Sequence, residues 1–192
     1  YSGVDNIILT SRYGKTKCAL AKVIASLLSS IFITFLVAAF NLIFAFAAYG
    51  KEGLDCSILF APLGFIEGYI PFNITCGTLI KYQLLLAFSS AISVTGITLL
   101  LSALCKSQMI AFVLSATVHL MPGMLSISET NTLYRAIVLM PFYHSQFSSI
   151  MSVEQMQNGM LYAIWAIPVA VTLAIIGSLV SHRTFAKHQV VS

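Results

Sequence analysis

The chain has 192 residues, of which 58% are hydrophobic and only 8% charged, with a formal net charge of +4. Soluble domains carry about 25% charged residues, so this composition excludes an ordinary globular protein. The apolar runs are continuous instead of alternating, which excludes a β-barrel and leaves a helical protein of the lipid bilayer.

The opening stretch, Tyr1–Lys22, is polar by comparison with the rest of the chain. Ser2 followed three residues later by Asp5 matches a helix-capping pattern. Val4, Ile7 and Ile8 then share one helical face, and Gly14 after Arg12 and Tyr13 reads as a stop. That predicts a helix of about ten residues, too short to span a bilayer, which takes about 20. Lys15, Lys17 and Lys22 are spaced to reach the phosphate layer as the next helix enters the membrane.

Residues 23–48 form an uncharged first span with Asn41 as its one strongly polar residue. A loop over 49–81 comes next, with Lys51, Glu52, Asp55 and Glu67, and an apolar centre (58–70) expected to lie against the membrane surface. Cys56 and Cys76 both fall in this loop. They are a disulfide candidate if the loop faces an oxidising compartment, and two unpaired thiols otherwise.

The second and third spans are 82–105 and 108–127, joined by a tight turn at Lys106. The third carries His119 and is broken near its end by Pro122-Gly123, where a bend or unwinding is expected. The loop 128–159 holds two short stretches, Leu133–Met140 ended by Pro141 and Ser148–Gln157, expected to be interfacial or re-entrant helices. The fourth span is 160–180, with Tyr162 and Trp165 where an aromatic belt would sit.

The expected fold is therefore an all-α integral membrane protein with four transmembrane helices in a single domain. Arg12, Lys15, Lys17, Lys22, Lys106, Arg183 and Lys187 fall on one side against the single acid Asp5. The two long loops hold Lys51, Lys81 and Arg135 against Glu52, Asp55, Glu67, Glu129 and Glu154. By the positive-inside rule both ends are cytoplasmic and both long loops external. Basic residues gathered at membrane edges form no broad patch, so no nucleic-acid partner is expected.

Chemistry-bearing residues are scarce. Of the residues that can ionise inside a membrane, only His119 lies well within a predicted span, where it is a hydrogen-bonded helix contact, a residue near the broken end, or a substrate contact. No buried carboxylate or basic relay marks an ion-coupled carrier. No GxSxG, HExxH or paired carboxylates appear, and the four histidines lie at different depths. No catalytic residue, metal site or bound cofactor is expected. Ser26, Ser30, Ser89, Ser93 and Gly96 recur at helical spacing, which serves helix packing first and a polar pathway second. Asn41, Ser93 and His119 are the candidates for a translocation path.

The string SGVDNIILTSRYGKTKCALAKV resembles the first cytoplasmic loop between spans in ABC-2 type transporter permeases, particularly bacterial members. Ser2, Gly3, Asp5, Ile7–Leu9, Ser11, Arg12, Gly14, Lys15, Ala21 and Lys22 match the degenerate pattern of that loop, and Tyr69–Gly77 is similar to the external stretch before the next span. The resemblance implies spans three to six of a six-span permease in a bacterial cell membrane, the first two spans lying upstream of Tyr1. The chain opens without an initiator Met and is expected to be part of a longer protein. The resemblance also implies a separate cytoplasmic ATPase partner, a second permease copy or a related permease, and export. No Walker sequence GxxxxGK[ST] occurs here, so ATP would be bound by the partner. Val4, Asp5, Asn6, Ile7, Ile8 and Leu9 would form the ATPase contact, rimmed by Arg12, Tyr13 and Lys15. An ATPase-independent carrier or channel, and a membrane enzyme or anchoring subunit, are the alternatives.

Overall fold

The computed structural model describes residues 16–58, 74–105, 107–125, 132–144 and 159–187. They form six helices: α1 (Thr16–Tyr49), α2 (Cys76–Leu104), α3 (Gln108–Met124), α4 (Thr132–Val138), α5 (Pro141–His144) and α6 (Gly159–Lys187). The predicted opening helix and the Ser148–Gln157 helix lie outside the described residues.

Local chemistry sets the ends. α1 stops at Gly50, whose positive φ of 75° and N–H bond to the Phe46 carbonyl (3.0 Å) make a left-handed helix cap. α2 starts at Cys76, ahead of the expected Tyr82, because Thr75 caps it and accepts from the Thr78 N–H at 3.3 Å. Lys81, expected in the loop, is therefore an exposed residue of the helix. α3 keeps Pro122 within its last turn and ends two residues later. Pro141 opens a helix as well as closing the preceding one, since a first helical position needs no N–H.

Three helices, α1, α2 and α6, are long and apolar enough to cross a membrane. α3 has only 17 residues, about 25 Å of helix at ~1.5 Å per residue, against a hydrocarbon core of about 30 Å. Leu125 caps it, and α5 packs against its end.

The helices alternate in direction. Ser30 of α1 donates to the Ala91 carbonyl of α2 (3.1 Å), and Lys22 at the start of α1 stands over the Phe185 ring at the end of α6, 4.3 Å from its centroid. The start of α1 and the end of α6 therefore share one end of the bundle, which carries Lys17, Lys22 and Arg183.

α2 is the central helix and packs most extensively on α6. Leu86 with Ala166, and Gly96 with Ala174 and Gly177, meet in the same order along both helices, so the two run parallel. The contact is backbone to backbone. A Cβ built on Gly96 would stand 2.5 Å from the Ala174 Cα, and one on Gly177 would overlap the Gly96 carbonyl. Ala166, Ala170, Ala174, Gly177 and Ser181 make the small-residue row that permits this approach.

α1 is attached far more lightly. Ala19 and Val23 are buried near its start, but Phe32, Phe40, Ile43 and Phe44 are each at least 61% exposed.

Candidate functional site at the junction of α2, α3 and α5

α5 is a four-residue wedge, Pro141-Phe142-Tyr143-His144, that ties α2 to the end of α3. A helix this short leaves its carbonyls without partners of their own. Ser90 of α2 donates to the Pro141 carbonyl at 2.8 Å. On the other side Tyr143 donates at 3.1 Å to the Pro122 carbonyl, which also accepts the capping Leu125 N–H at 3.4 Å where α3 ends. The Phe142 ring lies directly on Gly123, where any side chain would collide with it, and meets the His119 ring edge to face with centroids 6.0 Å apart.

His144 closes the wedge and is fully buried. Its Nε2 stands 3.1 Å from the Leu139 carbonyl, which can only accept, so this nitrogen carries the hydrogen. Its Nδ1 stands 3.4 Å from the Ser89 hydroxyl, which also has the Leu86 carbonyl at 2.8 Å. One hydroxyl hydrogen faces two acceptors, and the shorter bond has the advantage. The serine–histidine pair has the outline of a catalytic dyad, but both residues are sealed from solvent and the hydroxyl is held by its own helix. The arrangement serves as a clamp: four hydrogen-bonded groups and an aromatic plug hold three elements together.

Burial pushes the His144 imidazole below the usual histidine range, partly opposed by its bond to Leu139. No carboxylate occurs on α2, α3, α4 or α5 to favour the cation, and their charged residues, Lys81 and Arg135, are both basic. His119, the other imidazole here, is packed by its ring against Phe142. Below about pH 6.5 the unfolded chain binds a proton at His144 that the folded chain refuses, so stability falls as pH drops through this window. The expected slope from this group is about 1.4 kcal/mol per pH unit at most. The thermal midpoint in detergent at pH 7.5 and pH 5 should show the loss, and His144→Gln should flatten it. Equal slopes in both proteins would refute the assignment.

The sequence-derived path residues fall on three different helices, Asn41 on α1, Ser93 on α2 and His119 on α3, and no hydrogen bond or ring contact joins them among the described residues. Ser93 is fully buried on the α2 face that also carries Leu86 and Gly96, and its hydroxyl has no hydrogen-bond partner among the described residues; Ser181 of α6 is in the same condition. His119 lies one turn before Pro122, near the broken end of the helix as one of the expected alternatives had it; its Nδ1 is buried without a hydrogen bond among the described residues, and its ring meets Phe142. Asn41 is elsewhere. It is exposed and donates to the Val37 carbonyl of its own helix at 2.8 Å. It lies 11 residues beyond Ser30, about 16 Å farther along α1 than the Ser30–Ala91 bond. Ser26 likewise bonds within its own helix, to the Lys22 carbonyl, whereas Ser30 crosses to α2. The expected ATPase contact, Val4, Asp5, Asn6, Ile7, Ile8, Leu9, Arg12, Tyr13 and Lys15, lies outside the described residues.

Sequence reasoning passed over the wedge itself. Ser90, Phe142, Tyr143 and His144 carry no motif, and the last three sit in what reads as loop; the available signal was an aromatic pair and a histidine directly after proline. Compared with known proteins, the chain matches no family model, no curated protein and no solved structure. The functional reading therefore rests on the residues themselves.

Proposed function

We propose that this chain is the membrane-spanning part of an ATP-driven transporter, a permease of the ABC-2 type working with a separate cytoplasmic ATPase. The observation that carries the reading is the opening segment, whose Ser2–Lys22 pattern resembles the ATPase-coupling loop of such permeases and runs straight into α1. In this reading α1, α2, α3 and α6 are four crossings, with the basic end in the cytoplasm. α5 would cover the outer end of the α3 crossing.

The packing supports a division of labour. α2 and α6 are locked backbone to backbone, while α1 is held through its first half, by buried Ala19 and Val23, the Lys22–Phe185 contact and the Ser30–Ala91 bond. ATP-driven closure of the partner would pull on residues 3–13 and tilt α1 against the α2–α6 pair, opening the path outward. The work passes through a small apolar contact centred on Ile7 and Ile8. The test is Ile8→Asp, which should abolish ATP-coupled transport while leaving membrane insertion intact. Unchanged coupling in that variant would remove the basis of the reading.

A further inference from the structure

The end of the bundle opposite the basic one contains a short piece of paired backbone that the transport reading does not use. The first N–H groups of a helix have no partners within it. In α2 they are taken up by the returning chain: the Cys76 N–H donates to the Cys56 carbonyl at 3.0 Å and the Gly77 N–H to the Leu54 carbonyl at 2.8 Å. One step outward, the Ile58 N–H donates to the Ile74 carbonyl at 3.0 Å, and Ser57 and Thr75 form an antiparallel bridge. This register sets Cys56 directly across from Cys76. The Cys56 N–H turns away to the Gly53 carbonyl at 3.3 Å, so the pair makes one cross-bond. Directly opposed residues of an antiparallel pair have Cα atoms about 4.5–5.5 Å apart, inside the roughly 4.4–6.8 Å window that a disulfide needs. Both are free thiols, Cys56 exposed and Cys76 half-buried, so an oxidant can reach them.

We propose that Cys56 and Cys76 form a reversible disulfide that staples the α1–α2 connection across the N-terminus of α2. The inference holds whichever machine the bundle serves. The oxidant is a small-molecule disulfide of the glutathione class. The exposed Cys56 thiolate attacks it, releasing one small thiol and leaving a mixed disulfide. The Cys76 thiolate then attacks the Cys56 sulfur and releases the second small thiol. Two protein sulfurs are oxidised, two sulfurs of the reagent are reduced, and the two protein thiol protons end on the released thiols. The staple closes the connection between α1 and α2 into a covalent ring without moving its ends, because the backbone bonds already hold them. The other two cysteines provide an internal control. Cys18 lies in the first turns of α1 and Cys105 just past the end of α2, both at the basic end of the bundle.

The experiment uses the detergent-purified chain treated with oxidised or reduced glutathione, then digested after Glu67 and Lys81. These cuts place Cys56 and Cys76 on separate peptides, and the segment 68–81 contains no other cysteine. The expected result is that oxidation leaves the two peptides joined in most molecules and reduction separates them. Cys56→Ser and Cys76→Ser should each abolish the joined species while the protein remains soluble and monodisperse. Free peptides after oxidation, adducts of glutathione alone, or linkage of Cys56 to Cys18 or Cys105 would each overturn the proposal.

Discussion

Gly177→Leu is expected to prevent stable assembly of the bundle. At this position even a single added carbon overlaps the carbonyl of Gly96, so the α2 and α6 backbones must separate before any side chain fits. Separation undoes more than one contact. The row Ala166, Ala170 and Ala174 is small because the helices are close, and at a greater distance it cannot fill the gap. Ser93 and Ser181, now sealed, would lose the close packing that surrounds them. Overpacking a tight core costs about 1–3 kcal/mol and occasionally more. The backbone clash puts this case at the upper end, about 3 kcal/mol, a large share of a typical total stability. Gly177→Ala should do less damage in the same direction. Gly53→Ala, where nothing lies within 4 Å of the new carbon, should be neutral. The measurement is the fraction of monodisperse protein surviving mild heating in detergent. Survival of Gly177→Leu at the level of Gly53→Ala would show that α2 and α6 do not pack in this way.

Ile8→Asp has an equally large expected effect on coupling and almost none on folding. Residue 8 precedes the apolar run that inserts α1, so the membrane-embedded bundle should form normally. At a docking surface, an unpaired carboxylate forced into an apolar groove costs about 3 kcal/mol, which is roughly a hundredfold in affinity. The complex purified from native membranes should therefore lose nearly all of its co-purifying ATP hydrolysis, read as phosphate release. Thr10→Ala, off the apolar face, should retain it. Full phosphate release from Ile8→Asp would mean that the opening segment does not carry the contact.

What could be read from the sequence differs by element, and the reasons are physical. Long uncharged runs declare themselves, so α1, α2 and α6 were legible, each helix running past the apolar window because its cap or its polar end costs nothing in water. The first span is expected from Val23, but the helix begins at Thr16 and carries Lys17 and Lys22. The third run is as apolar as the others, yet its helix stops at Met124. Pro122 and Gly123 mark that stop in sequence, but what replaces the lost length, with α5 seated on Ser89 and Ser90, depends on tertiary contacts.

The Ser89, Ser93 and Gly96 row was legible as a packing face, and Gly96 takes that role against α6. Its partner row on α6, at spacings of three and four, was equally available and went unread. His144 shows the opposite difficulty. A histidine in a polar-looking loop gives no sign of burial, and only the fold reveals that it plugs a junction. Asn41 and His119 show that a polar residue on an apolar helix does not announce its partner: one bonds to its own backbone and the other meets a ring edge to face.

The most direct measurement is a photoreactive amino acid placed at position 8, with crosslinking carried out in native membranes and the adduct identified by peptide mass. The account predicts a covalent product between residue 8 and a second polypeptide that carries the phosphate-binding sequence GxxxxGK[ST], which this chain lacks. Adducts to lipid alone, with no nucleotide-binding polypeptide captured, would contradict it.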